Sequence, residues 1–156
     1  MKGGSTFALF VLVSFTQAGC LGAPRPTLVP DSGDLASLHG ATEFAVYGTD
    51  EDLALLKTAL VQVNSAIVFT TADNAQVIIQ FQVYRQPPAC VDCGPDWKPG
   101  PVHSIFAFAS IERHNDHDHC LPPLLRANWQ HEAYTQRGLI RALVKSLAPY
   151  LTNAGA

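Results

Sequence analysis

Three segments of the chain alternate between apolar and polar side chains, the pattern typical of a strand with one buried and one solvated face. They span residues 76–85, 103–113 and 124–132. Two shorter apolar segments rich in β-formers, residues 43–47 and 66–70, are also predicted strands. The inward positions of the three long strands are aliphatic residues, one Phe and one Trp: Val77, Ile79, Phe81, Val83, Ile105, Ala107, Ala109, Ile111, Leu125, Ala127 and Trp129.

Two segments show helical periodicity instead. Thr49 stands before three acidic residues, which suit the start of a helix, and apolar residues then recur at helical spacing as far as Asn64. The second helix is predicted from about Tyr134 to Leu151, with five apolar residues on one face: Leu139, Ile140, Leu143, Val144 and Leu147. Three basic residues lie on its other side and are predicted to be solvated: Arg137, Arg141 and Lys145.

The resulting order, β-α-β-β-β-β-α, predicts an α+β fold. We expect a two-layer sandwich in which a mainly antiparallel sheet of 4–5 strands carries both helices on one face, because that arrangement buries every apolar stripe. A hydrophobic content of 47% supports a packed core rather than disorder. The formal net charge is −3, which argues against nucleic acid as a partner.

The N-terminus has the parts of a secretory signal: Lys2, an apolar stretch over residues 7–15, and a small-residue approach to a cleavage site. The apolar stretch is too short for a spanning helix, which needs about 20 residues. Residues 1–19 are therefore predicted to be removed on export, and the protein to work outside the cytoplasm.

Residues 17–20, Gln-Ala-Gly-Cys, resemble the lipobox of bacterial lipoproteins, with Cys20 at the position of the lipidated cysteine. Gln17 departs from the aliphatic residue usual there. The resemblance implies acyl chains on Cys20, and the non-acidic Leu21 implies the periplasmic face of the outer membrane. The alternative is ordinary cleavage after Ala18, which would give a soluble periplasmic or secreted protein.

Residues 21–42 contain three prolines and several glycines with little apolar periodicity. Together with Cys20 they are predicted to form a flexible tether, residues 20–42, ahead of a single α+β domain at 43–156. The order of elements, with a Trp-bearing strand before the last helix, resembles small α+β domains of uncharacterised bacterial lipoproteins. This resemblance implies an envelope setting and no particular activity.

Two loops hold the residues that could support chemistry. The first, residues 86–101, is rich in proline and contains Trp97 and the pair Cys90-x-x-Cys93. The second is a turn over residues 114–121 with four candidate metal ligands besides its aspartates: His114, His117, His119 and Cys120. Cysteine and histidine are the ligands that zinc prefers. If the flanking strands pair as neighbours, the loops lie at opposite ends of the sheet.

Several interpretations of the cysteines stay open. In an oxidising compartment Cys90 and Cys93 are expected to form a disulfide. There are three alternatives: a disulfide from one of them to Cys120, a zinc site that they share with the histidines, and a metal site formed by the turn at residues 114–121 alone. If Cys20 is acylated, three thiols remain, and one of them must be free, bonded to another chain or bound to metal.

The function predicted from these features is a membrane-anchored envelope lipoprotein with a non-catalytic binding or assembly role. Trp97, in the long loop, is the predicted contact with an envelope protein partner. The first alternative is a periplasmic protein that binds zinc or another divalent metal at residues 114–120. The second is a thiol-redox enzyme, which the position of the Cys90 pair in a proline-rich loop disfavours.

Overall fold

The structure, a computed structural model, describes residues 27–85, 105–115 and 118–152. In these ranges the chain forms two helices, α1 (Asp50–Val63) and α2 (Gln136–Leu151), and six strands. The strands are β1 (Leu28–Gly33), β2 (Glu43–Tyr47), β3 (Val68–Phe69), β4 (Val77–Arg85), β5 (Ile105–Arg113) and β6 (Leu125–Ala133). They make one sheet in the order β1-β6-β5-β4-β2-β3. The predicted α+β class is confirmed.

The sheet is mixed. Strands β1, β6, β5 and β4 form three successive antiparallel pairs. Strand β2 runs parallel to both of its neighbours, β3 and β4. The parallel pairs arise because α1 carries the chain from the end of β2 back to its start, so the next strands run in the same direction. The sequence pattern identified the strands on either side of α1 but not this parallel pairing.

The first strand corrects the predicted tether. Leu28–Gly33 pairs with β6 as an edge strand, and a short 3-10 helix at Leu35–Leu38 follows it. Leu38 is fully buried, and Gly33 lies so close to β6 that a Cβ there would be 1.9 Å from the backbone oxygen of Leu124. The tether over 20–42 is therefore too long, because its residues from Leu28 onward belong to the domain. An edge position accepts Pro30, which resembled a linker residue in the sequence.

The start of α1 follows the prediction closely. Thr49 is the N-cap, and its hydroxyl oxygen accepts a hydrogen bond from the backbone N–H of Asp52 at 3.4 Å. The same hydroxyl donates to the Asp52 carboxylate at 2.6 Å. This carboxylate is buried, and its other oxygen accepts from the Gln136 side chain at the start of α2. Asp52 therefore joins the first turns of the two helices.

A second bond joins the opposite ends of the helices. The Asn64 side chain, at the C-cap of α1, donates to the backbone oxygen of Leu151 in the last turn of α2 at 2.9 Å. The two helices consequently run side by side in the same direction. Within the described ranges, neither has the length and hydropathy needed to cross a bilayer.

The core lies between this helix pair and one face of the sheet. The apolar face predicted for α2 is buried, as are the inward residues of β4, β5 and β6 apart from the half-buried Val83. Trp129 is 1% exposed at the centre of this layer, and its indole N–H donates to the Ser146 hydroxyl of α2 at 3.3 Å. The predicted basic stripe of α2 is exposed.

The substitution Leu38→Ala tests whether the segment before Glu43 belongs to the fold. Because Leu38 is fully buried, we expect the free energy of unfolding to fall by about 2–5 kcal/mol. Leu121→Ala is the matched control, since Leu121 is 51% exposed and should change stability by less than about 0.5 kcal/mol. Urea unfolding of the purified protein, followed by circular dichroism, measures both. Equally small changes in the free energy of unfolding for both variants would mean that residues 28–42 are a tether outside the fold.

Candidate functional site

The face of the sheet opposite the helices is open, and no helix of the described part of the chain covers it. It forms a shallow depression of about 1010 Å³, bordered by side chains of β1, β4, β5 and β6. Strand register sets its side chains in rows. One row is Gln80, Ser110 and Asn128, and the next is Gln82, Phe108 and Gln130. These two middle rows carry no charge.

An aromatic cluster lies on the open face. The rings of Phe106 and Phe108 meet edge to face with centroids 4.7 Å apart, and Tyr84 meets Phe108 in the same way at 5.7 Å. Tyr84 is 51% exposed and Phe108 is 43% exposed. The Tyr84 hydroxyl donates to the Gln82 side-chain oxygen at 2.6 Å. Apolar rings are thus held, still partly solvated, beside amide groups.

Charged side chains lie around the margins of this face. The Arg126 Nε donates to the Glu112 carboxylate at 3.1 Å towards one end, and Asp31 on the edge strand accepts from the Asn128 side chain. Glu132 lies at the other end, in register with Phe106. The middle of the face therefore offers amides and aromatic rings, with charge confined to its edges.

The histidine turn leaves the end of β5 beside Glu112. His114 is 7% exposed, and its Nε2 lies 3.5 Å from the second Glu112 oxygen. Its Nδ1 is buried and has no hydrogen-bond partner. The ring of His119 meets the ring of His114 edge to face, with centroids 4.7 Å apart. The turn therefore brings two of the predicted metal ligands together.

Backbone and side-chain bonds fix this arrangement. The backbone N–H of His114 donates to the Gln76 backbone oxygen at 2.9 Å, which ties the end of β5 to the residue before β4. The Gln76 side-chain oxygen accepts from the backbone of Thr42 at 3.0 Å and from the Arg113 guanidinium at 3.4 Å. Burial lowers the pKa of this guanidinium below its usual value.

The other predicted site residues have different outcomes. Cys120 is exposed and is a free cysteine among the residues that the structure describes. Its backbone N–H donates to the Asp118 side chain at 2.9 Å, which closes the turn behind His119. In the ranges that the structure covers, no group of three histidine, cysteine or acidic side chains is arranged around one metal position. Five predicted site residues lie outside the described residues: Cys20, Cys90, Cys93, Trp97 and His117.

The register of β4 and β5 bears on a metal site shared by the two loops. Arg85 pairs with Ile105 at one end of the two strands, and Val77 pairs with Arg113 at the other. Eight steps along the strand at about 3.3 Å each separate these ends by about 26 Å. The long loop leaves from the first end and the histidine turn from the second, as expected if these strands are neighbours.

No protein-family model matches the sequence, and no curated protein is significantly similar to it. Among solved structures the chain is similar to the PelC dodecamer from Paraburkholderia phytofirmans, at 13% identity and a TM-score of 0.44, over 80% of this chain and 96% of that one. It is also similar to a minor lipoprotein from Acinetobacter baumannii, at 11% identity and a TM-score of 0.39, over 71% and 90% of the two chains. Because these values are low, no function is inferred from them.

The open face was not predicted as a site, although its residues were assigned to the outer positions of their strands. One sequence feature could have identified it. In β5, Phe106 and Phe108 alternate with buried aliphatic residues, so this strand is apolar on both faces. A strand with only one covered face normally has polar residues on the other. Two outward phenylalanines therefore indicate a second apolar surface on the other face of the sheet.

Proposed function

We propose that this protein is a membrane-anchored envelope lipoprotein with a non-catalytic role, and that its open sheet face binds another envelope protein. The observation that supports this most is the partly exposed aromatic cluster of Tyr84, Phe106 and Phe108 beside the two uncharged middle rows. Protein interfaces are enriched in aromatic residues and depleted of charge at their centres. A few such anchors commonly supply most of the binding energy.

The surroundings of Phe108 fit the same role. Gln82 and Gln130 flank it in register, and both amides donate and accept hydrogen bonds. Such groups can pair with the backbone or polar side chains of a partner while the ring enters an apolar pocket. With no positive charge in the middle rows, the face is poorly suited to a polyanion such as nucleic acid.

The chemistry of the face favours binding over catalysis. Amides and phenyl rings neither titrate near neutral pH nor form covalent intermediates. Ser110 is the one hydroxyl of the two middle rows, and its neighbours in register are Gln80 and Asn128. A serine nucleophile needs a general base within hydrogen-bonding distance, and an amide cannot serve as one. We therefore assign these residues to recognition.

The first strand of the domain is close in sequence to the proposed anchor. Cys20 and Thr27 are seven positions apart in the sequence, a span of at most about 25 Å when fully extended. Thr27 and Val29 border the open face. If Cys20 carries acyl chains, the face stays close to the membrane surface. The partner proposed here is accordingly a protein at the periplasmic side of the outer membrane.

The anchor is tested by intact mass spectrometry of protein extracted from membranes. We expect a mature chain that begins at Cys20 and carries the added mass of its acyl chains, because the residues before it resemble a lipobox. The variant Cys20→Ala should lose that mass and leave the membrane fraction. A chain that begins at Gly19, with unmodified Cys20, would contradict the anchor and support a soluble exported protein.

The partner surface is tested by site-specific photo-crosslinking in intact cells. A photoreactive phenylalanine at position 108 should crosslink a discrete envelope protein, whereas the same group at Val61 should not. Val61 is a matched control because it is 38% exposed on α1, away from the open face. Immunoblotting and mass spectrometry identify the crosslinked product.

Support also requires that the substitution Phe106→Ser abolish the crosslink at position 108 while secondary structure is retained. The identified protein should bind the purified domain at least tenfold more weakly after that substitution, because an aromatic anchor is lost. Equal crosslinking at positions 61 and 108, or a product that contains only glycan or a second copy of the chain, would contradict the proposal.

A further inference from the structure

We propose that His114 and His119 form a binding site for a divalent transition metal such as Zn²⁺, with Glu112 as the group that orients His114. This site uses the turn after β5 and is independent of the partner proposed for the open face. It rests on three observations about these side chains: an unpartnered buried nitrogen, the spacing of two rings, and a carboxylate beside the opposite nitrogen.

The Nδ1 atom of His114 is the first observation. It is buried and makes no hydrogen bond. The whole residue is only 7% exposed, so solvent does not replace the missing partner. A buried polar atom without a partner is costly and is uncommon in folded proteins. A neutral imidazole nitrogen without its proton is a good metal ligand. Coordination would give this nitrogen the partner that it lacks.

The spacing of the two rings is the second observation. With a metal–nitrogen bond of about 2.0 Å and a ring centre about 1.1 Å beyond the nitrogen, imidazoles that share a metal have centres about 4.4 Å apart at 90° and about 5.1 Å apart at the tetrahedral angle. The centroids of His114 and His119 are 4.7 Å apart. The separation of the two rings therefore lies within the range that is compatible with joint coordination.

Glu112 supplies the third observation. One of its oxygens lies 3.5 Å from His114 Nε2, and the other accepts from Arg126 at 3.1 Å. Histidines that ligate a metal usually direct their second nitrogen at a carboxylate, which fixes the tautomer and the ring orientation. A proton on Nε2, on the side that faces Glu112, would leave the lone pair of His114 on Nδ1. Arg126 in turn holds the carboxylate in place.

The exposure of the two rings defines the type of site. His119 is exposed and His114 is buried, so a metal held by both would meet solvent on the His119 side and keep open positions for water. Imidazole ligands favour Zn²⁺, Cu²⁺ and Ni²⁺ over Mg²⁺ and Ca²⁺, which prefer oxygen. The site should therefore select Zn²⁺, Cu²⁺ and Ni²⁺, and its metal affinity should be lower than that of a closed structural zinc site.

Isothermal titration of the full-length mature protein, purified without a histidine tag, tests this with ZnCl₂ and with MgCl₂. We expect one equivalent of Zn²⁺ to bind and Mg²⁺ to give no signal. His119→Ala should weaken zinc binding at least tenfold without unfolding the protein, because His119 is exposed. His39→Ala is the matched control, an exposed histidine outside the turn, and should bind as the wild type does.

Two further measurements distinguish coordination by the histidine pair from a purely structural role of His114 and from a thiol site at Cys120. In ¹⁵N NMR spectra, zinc should shift the Nδ1 resonance of His114 and leave its Nε2 protonated, which a merely structural role would not produce. Cys120→Ser should retain zinc binding. Equal affinity in wild type and His119→Ala, an unshifted Nδ1, or loss of binding only in Cys120→Ser would overturn the proposal.

Discussion

Two hydrogen bonds, one at each end, hold α1 and α2 side by side over a single face of the sheet. Asp52 accepts from Gln136 at the start of both helices, and Asn64 donates to the last turn of α2. Both bonds involve partly buried groups, so losing either partner would leave the other unsatisfied. Trp129 fills the layer beneath α2 and bonds to Ser146. With both helices committed to this face, the described part of the chain has no helix left to cover the other.

The composition of the open face follows from the position of both helices on the other face of the sheet. Strand alternation sends aliphatic residues to the helix side and sends Gln80, Gln82, Phe108 and Gln130 to solvent. Solvation alone would account for the amides, but not for an exposed aromatic cluster among them. The edge strand β1 completes this face and also shortens the link to Cys20. The proposed binding surface and the proposed membrane attachment are therefore separated by only a few residues in the sequence.

Much of this arrangement could be predicted because local signals and tertiary packing agree. Thr49 caps α1 as its position before three acids suggested, and β4, β5 and β6 follow their alternation. The segment at Leu28–Gly33 was mistaken for a linker because an edge strand tolerates proline and exposes most of its residues, so it lacks the alternation of a central strand. Of the proposed metal site, the sequence indicated His114 and His119. It could not show the role of Glu112, since that depends on which ring nitrogen faces it.

We propose that a partner protein in the envelope covers the open sheet face. Hydroxyl-radical footprinting of Tyr84 and Phe108 tests it most directly, in membranes from cells that express the full chain and in the purified protein. We predict that both rings are oxidised readily in the purified protein and are protected in membranes. The control residue Tyr150, half-buried on α2, should react equally in both samples. Equal oxidation of Tyr84 and Phe108 in the two samples would contradict it.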